Sequence, residues 1–280
     1  MTGRSVASLA PMAVPVLAPP AFAWPSTPRP TLDALRAAGF DVRTSNHAEA
    51  ILAGEFAART AELADALLAF RLSPAELVGS GGGEARSTQR LRRRLAEAGW
   101  RKRNVRVETV IDGVSRASVG HEVDHVRRGE AGTLALEIEW NNKDPFFDRD
   151  LENVQRLHAL SAISVGIVVT RGRSLRDGML DEVRAFIASR GVTDEAGLAP
   201  FGMKDRTARQ REAVAKAVQR GQPFADAFAR HFVADKFGQA TTHWTKLDGR
   251  VARGVGNPCP MLLLGLPRSV LSTDNGGEAL

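Results

Sequence analysis

The chain has 280 residues, 43% of them hydrophobic and 25% charged, with a formal net charge of +6. That is an ordinary globular balance with ample material for a core, and its basic sign favours a polyanionic partner. One cysteine, Cys259, excludes an internal disulfide and a Cys-rich zinc site, and no run of about 18 apolar residues is present to span a membrane.

Residues 1–30 are an Ala/Pro-rich leader. Ala21-Phe22-Ala23 resembles a signal-peptidase site, but Pro11, Pro15, Pro19 and Pro20 break the helix that an export signal needs. A disordered tail, a signal and a wrongly chosen start all remain open, and a cytoplasmic protein is expected. From 31 to 280 we expect one domain, with a helical part to 99, a core over 100–200 and a C-terminal part from 201.

Thr31-Leu32-Asp33 caps a short helix ending near Gly39, and residues 46–70 read as helical. Ser73-Pro74-Ala75-Glu76 has the cap, proline and acid of a helix start. Gly79 to Gly83 form a loop; no Gly-Lys-Ser/Thr follows, so it is not a nucleotide-binding loop. A basic helix over 84–98 comes next. Alternating patterns at 105–111, 121–126 and 133–140 predict strands with one buried face. Residues 146–162 read as helix and 163–170 as a strand buried on both sides. Helix follows at 180–189 and over most of 205–250, with a break at Gly221 and Pro223. Met261 to Leu264 is a last strand. This order fits an α/β fold in which helices flank a central mixed sheet.

The informative stretch is Asp124 to Asp150. Glu137 and Glu139 stand two apart on a strand, so both point to one face while Leu134, Leu136 and Ile138 take the other. A turn at Arg128-Gly129-Glu130 would bring Asp124 beside Glu137. Adjacent carboxylates repel, and a hard divalent cation is one reason to keep them together; two solvated acids on an exposed edge is the alternative. His121-Glu122-Val123-Asp124-His125 matches the zinc-protease pattern H-E-x-x-H, which requires a helix. The valines at 119, 123 and 126 favour a strand, on which His121 and His125 would share a half-exposed face.

Around these acids runs Glu137-Ile138-Glu139-Trp140-Asn141-Asn142-Lys143-Asp144, then Phe146-Phe147-Asp148-Arg149-Asp150-Leu151. Further on stand Thr241-Thr242-His243-Trp244, Arg253-Gly254 and Asn257-Pro258-Cys259-Pro260. These segments, in this order, resemble the BglII/BstYI family of type II restriction endonucleases over roughly residues 80–267. The resemblance implies a restriction-endonuclease-like core, a homodimer, Mg²⁺ dependence with Mn²⁺ as substitute, and cleavage of double-stranded DNA within a palindrome containing GATC. It also implies a possible partner methyltransferase at the same site. It places Asp124, Glu137 and the Ile138 carbonyl on the metal. Glu139 stands where many nucleases of the superfamily carry lysine, and Glu108 falls by spacing alone on a further acidic position.

Asn141 and Asn142, just past the catalytic strand, are candidates for reading adenine, and Lys143 for touching a phosphate. Thr241, Thr242 and His243 form a second base-reading candidate, with Thr242 as a helix cap the alternative. Arg90, Arg93 and Arg94 share a helix face with Arg86 and are candidate phosphate contacts. A non-cleaving DNA-binding protein on the same scaffold is the second reading, and an exported zinc protease the third.

Overall fold

A computed structural model describes residues 31–79, 86–203 and 206–272. The leader and most of the Gly79–Gly83 loop lie outside the described residues. The helices and strands, in chain order, are α1 (Leu32–Ala37), β1 (Asp41–Ser45), α2 (Ala48–Gly54), α3 (Ala57–Leu68), α4 (Pro74–Val78) and α5 (Arg86–Glu97). Then come β2 (Arg101–Ile111), β3 (Val114–Gly129), β4 (Gly132–Glu139), α6 (Phe146–Ala159), β5 (Val165–Arg171) and α7 (Arg173–Ser189). The chain closes with α8 (Ala208–Gln219), α9 (Phe224–Lys236), α10 (Trp244–Ala252) and β6 (Met261–Leu266).

The strands form one mixed sheet in the order β1-β6-β5-β4-β3-β2. β4, β5 and β6 are parallel neighbours, while the β2–β3–β4 meander and the β1–β6 pair are antiparallel. This is the α/β architecture expected, a mixed sheet with helices on both faces. The alternation of β4 divides its neighbours. Leu134, Leu136 and Ile138 join a core with α3, α5, α7 and α9, whereas Ala135 joins a second core with α6 and α10. Glu137 and Glu139 therefore point toward the α6–α10 face.

α6 is held there by Phe147, Leu151, Val154 and Leu157, spaced to line one side of a helix and all buried. Each contributes about 1.5–3 kcal/mol on burial. The close approach needs Gly166 on β5. A Cβ there would meet Val154 at 3.1 Å and Met261 Sδ at 2.8 Å.

Several elements differ from the sequence reading. Strand β1 was not anticipated: five half-buried residues between Gly39 and Asn46 are too few to show a period. The expected helix over 46–70 breaks at Glu55-Phe56. The expected strand at 121–126 is the inner half of a sixteen-residue strand joined to β2 through Asp112-Gly113. Both turn residues have positive φ, 51° and 78°, the hairpin geometry an Asp-Gly pair adopts readily. The β3–β4 turn falls at Glu130-Ala131, with Gly129 opposite Gly132. Helix α7 begins at Arg173, well before Leu180, and α4 carries the Ser73–Glu76 capping box.

Candidate active site

Four acids gather at the carboxyl end of β4. The Asp124 backbone N–H donates to Glu137 Oε2 at 3.3 Å. Glu137 and Glu139 are 6% and 3% exposed, which removes the alternative of two solvated edge acids. Asp124 reaches them because β3 pairs with β4 with His125 opposite Leu136, which sets Asp124 level with Glu137. Just beyond, β3 bulges: Arg101 pairs with Val126 but Arg103 with Val123, so β3 carries one extra residue there. Bulges of this kind re-aim side chains.

The same bulge corrects the expectation for the histidines. His121 bonds Asn153 and feels Arg156, both on α6. His125 feels Arg92 of α5 and Lys102 of β2. The two lie on opposite faces of the sheet, and both are buried rather than half-exposed. Glu122 points to solvent and pairs with Lys102 at 2.6 Å. H-E-x-x-H on a strand has neither the spacing nor the base of a zinc protease, so that reading is withdrawn.

The fourth acid is Asp150 of α6, 1% exposed, which sequence reasoning left without a role. A signal existed. Position 150 falls inside the apolar stripe of Phe147, Leu151 and Val154, where an acid has no packing reason to be. Its Oδ1 accepts from Arg149 Nε at 2.8 Å, and its buried Oδ2 finds no N–H or hydroxyl donor.

Burial dominates the electrostatics. It pushes the Glu137 carboxyl up to about 9, with Asp124 and Asp150 adding repulsion. Glu139 is raised by burial and by its contact with Asp150. Asp150 is raised by burial against the opposing pull of Glu139 and Arg149. The opposing cation is Arg149, 2.7 Å from Asp150 Oδ1 and 3.6 Å from Glu139 Oε1, its guanidinium 4.5 Å from the Phe146 ring centroid. Asn142 Nδ2 donates to Glu139 Oε2 at 2.6 Å. Among the described residues no three His, Cys, Asp or Glu side chains are gathered as a ready metal cage. The four acids are crowded, short of counter-charge and open toward Asp124. This all-oxygen set suits a hard cation that takes one or two carboxylates and completes its shell with water and phosphate.

The other candidate residues are placed as follows. Asn142 and Lys143 are exposed, and Asn141 is half-buried with Nδ2 donating to the Lys236 carbonyl. Thr242 and His243 are buried, at 0% and 2% exposure, so neither presents a side chain to a duplex in this conformation. Instead Thr242 Oγ1 accepts from the Asn142 N–H, and the Thr242 N–H donates to the Asn142 carbonyl. Thr242 is not the cap of α10 either; that position is His243. Arg171, fully buried, ties the two segments together. It donates to the Trp140 carbonyl at 3.0 Å, Thr241 Oγ1 at 2.6 Å and the Thr242 carbonyl at 2.7 Å. With no carboxylate partner among the described residues, its guanidinium is pulled down to about 9 by burial.

Two expectations do not join the cluster. Glu108 sits opposite Ser118, six residues along β3 from Asp124, or roughly 20 Å at the rise of a strand. Arg90, Arg93 and Arg94 lie on α5, which packs through Leu91 and Leu95 on the sheet face away from Glu137 and Glu139. Arg90 is engaged there by Glu76 and by the Arg71 carbonyl.

No curated protein matches the chain. A family model described as restriction endonuclease BglII/BglIII matches residues 40–266. With the acids gathered on a mixed α/β sheet, this match shows that the chain belongs to the BglII-type restriction endonuclease family.

Proposed function

We propose that the protein is a type II site-specific deoxyribonuclease that hydrolyses double-stranded DNA within a GATC-containing palindrome of the RGATCY kind. The observation that carries the catalytic part is the convergence of Asp124, Glu137, Glu139 and Asp150 with, among the described residues, Arg149 alone paired to them. The recognition site rests on the resemblance of the segments around 137–151 and 241–260. Asp124, Glu137 and the Ile138 carbonyl would hold a divalent cation, Mg²⁺ with Mn²⁺ as substitute, which supplies charge neutralisation at the phosphate and acidifies water.

Glu139, oriented by Asn142, accepts the proton of the attacking water. Attack in line on phosphorus breaks the P–O3′ bond, the 3′ oxygen takes a proton from solvent, and 5′-phosphate ends result. Asn142 and Lys143, exposed beside Glu139, are placed to meet the duplex. Thr241, Thr242 and His243 act as a frame beneath them rather than as base readers. Glu108 and the α5 arginines have no part in the chemistry. The unit is residues 31–280 acting as a homodimer, because a two-fold protein matches a palindrome. A methyltransferase of the same specificity would protect the host.

Purified protein incubated with unmethylated phage DNA in Mg²⁺, in EDTA, and beside Glu137→Ala tests this reading. Discrete fragments that need both Mg²⁺ and Glu137 are expected. Specific binding without cleavage would favour the non-cleaving reading on the same scaffold.

A further inference from the structure

Among the described residues, the outer part of the β2–β3 hairpin is exposed on both strands. Of the eleven residues of β2, only Val105 and Val107 are half-buried, and the first seven of β3 are exposed. A two-stranded ribbon alone is marginal in water, and this one ends in Val110, Ile111 and Val114 at 51–56% exposure.

Register shows where it goes. His125 lies opposite Leu136 and Gly129 opposite Gly132; extended with allowance for the one extra residue at the β3 bulge, Glu139 is level with His121. Everything from His121 out to Val114 therefore projects beyond the carboxyl end of β4, by roughly 23 Å. That is the end at which the acids gather. Between residues 101 and 120 stand five basic residues against two acidic ones. Arg103, Arg106 and Arg116 are exposed along the ribbon, and Arg106 is steadied by Nε donating to Ser118 Oγ at 2.9 Å.

We infer that the β2–β3 hairpin is a DNA-clasping arm, laid along the flank of a duplex whose phosphate is held at the acids, with Arg103, Arg106 and Arg116 on phosphates. The inference rests on the nuclease reading. A ribbon of about 23 Å runs beside roughly seven base pairs at ~3.4 Å each. Its charge complements the duplex and its position follows from the register of β3 on β4.

The test is binding of the full-length protein, in Ca²⁺, to a labelled duplex with a central GATC palindrome across a KCl series. Three phosphate contacts release about 2.7 counterions per chain. The variant Arg103→Ala/Arg106→Ala/Arg116→Ala is expected to flatten the slope of log K against log salt by about twice that amount, since the homodimer carries two arms. Affinity should fall at least about tenfold at 0.1 M salt, with an unchanged melting temperature. The triple Arg→Lys variant should keep the slope. Unchanged slope and affinity in the alanine variant, while the wild type binds and cleaves, would overturn the arm and leave the nuclease intact. The arm also falls if Val110→Asp/Ile111→Asp splits a dimer in sedimentation without weakening DNA binding, since it would then be an interface between copies. A wild type that neither binds nor cleaves DNA overturns both readings.

Discussion

Replacing Glu137 by Gln removes a carboxyl that burial, Asp124 and Asp150 push up to about 9 from an ordinary value of 4.5. A group whose folded pKa lies above its unfolded one contributes stability below the unfolded value and loses it as pH rises. The wild type without metal should therefore lose stability between pH 4.5 and 9. At 1.36 kcal/mol per unit the loss by pH 7 is on the order of 3 kcal/mol. Gln keeps the shape, and its carbonyl oxygen still accepts from the Asp124 N–H, but it carries no charge. In EDTA, urea unfolding of Glu137→Gln should match the wild type near pH 4.5 and exceed it at pH 8. Added Mg²⁺ should stabilise the wild type by mass action and leave the variant unmoved. A wild type whose stability does not fall with pH in EDTA, or a variant no more stable at pH 8, would refute the argument that the acids are crowded and short of counter-charge.

Two further substitutions probe the frame. Arg171→Met leaves the Trp140 and Thr242 carbonyls without their buried donor and should cost roughly 3 kcal/mol in denaturant unfolding; an unchanged midpoint would mean that water replaces the guanidinium freely. Asn142→Ala removes the donor at 2.6 Å from Glu139 and should lower kcat about 10- to 100-fold, beyond any loss of DNA affinity. A fall in affinity with kcat kept would instead confine Asn142 to binding.

The acids of β4 were legible because the 2-residue period of a strand fixes the facing of Glu137 and Glu139, and the valines around His121 marked that motif as extended. The histidines needed more: alternation alone would carry His125 to the face of His121, and only the bulge opposite Lys102 turns the strand by one residue. Asp150 was quoted but left unused because a helix acid looks solvated until its neighbours on the apolar stripe are known to be buried. Thr242 and His243 show what a sequence does not reveal: polar residues near a family motif read as candidate contacts, and only tertiary packing behind Arg171 shows both to be buried. Glu108 was placed by spacing, and spacing does not reveal that β2 leaves the core. Strand β1 was missed because five residues at a sheet edge carry too little pattern.

The most direct measurement is run-off sequencing of the ends produced when plasmid DNA is incubated with the protein and Mg²⁺. The expected result is a single class of end within one GATC-containing palindrome, bearing 5′-phosphate, and absent with Glu137→Ala. Ends scattered over unrelated sequences, cleavage undiminished in the variant, or intact DNA in both Mg²⁺ and Mn²⁺ would contradict a site-specific nuclease centred on these carboxylates.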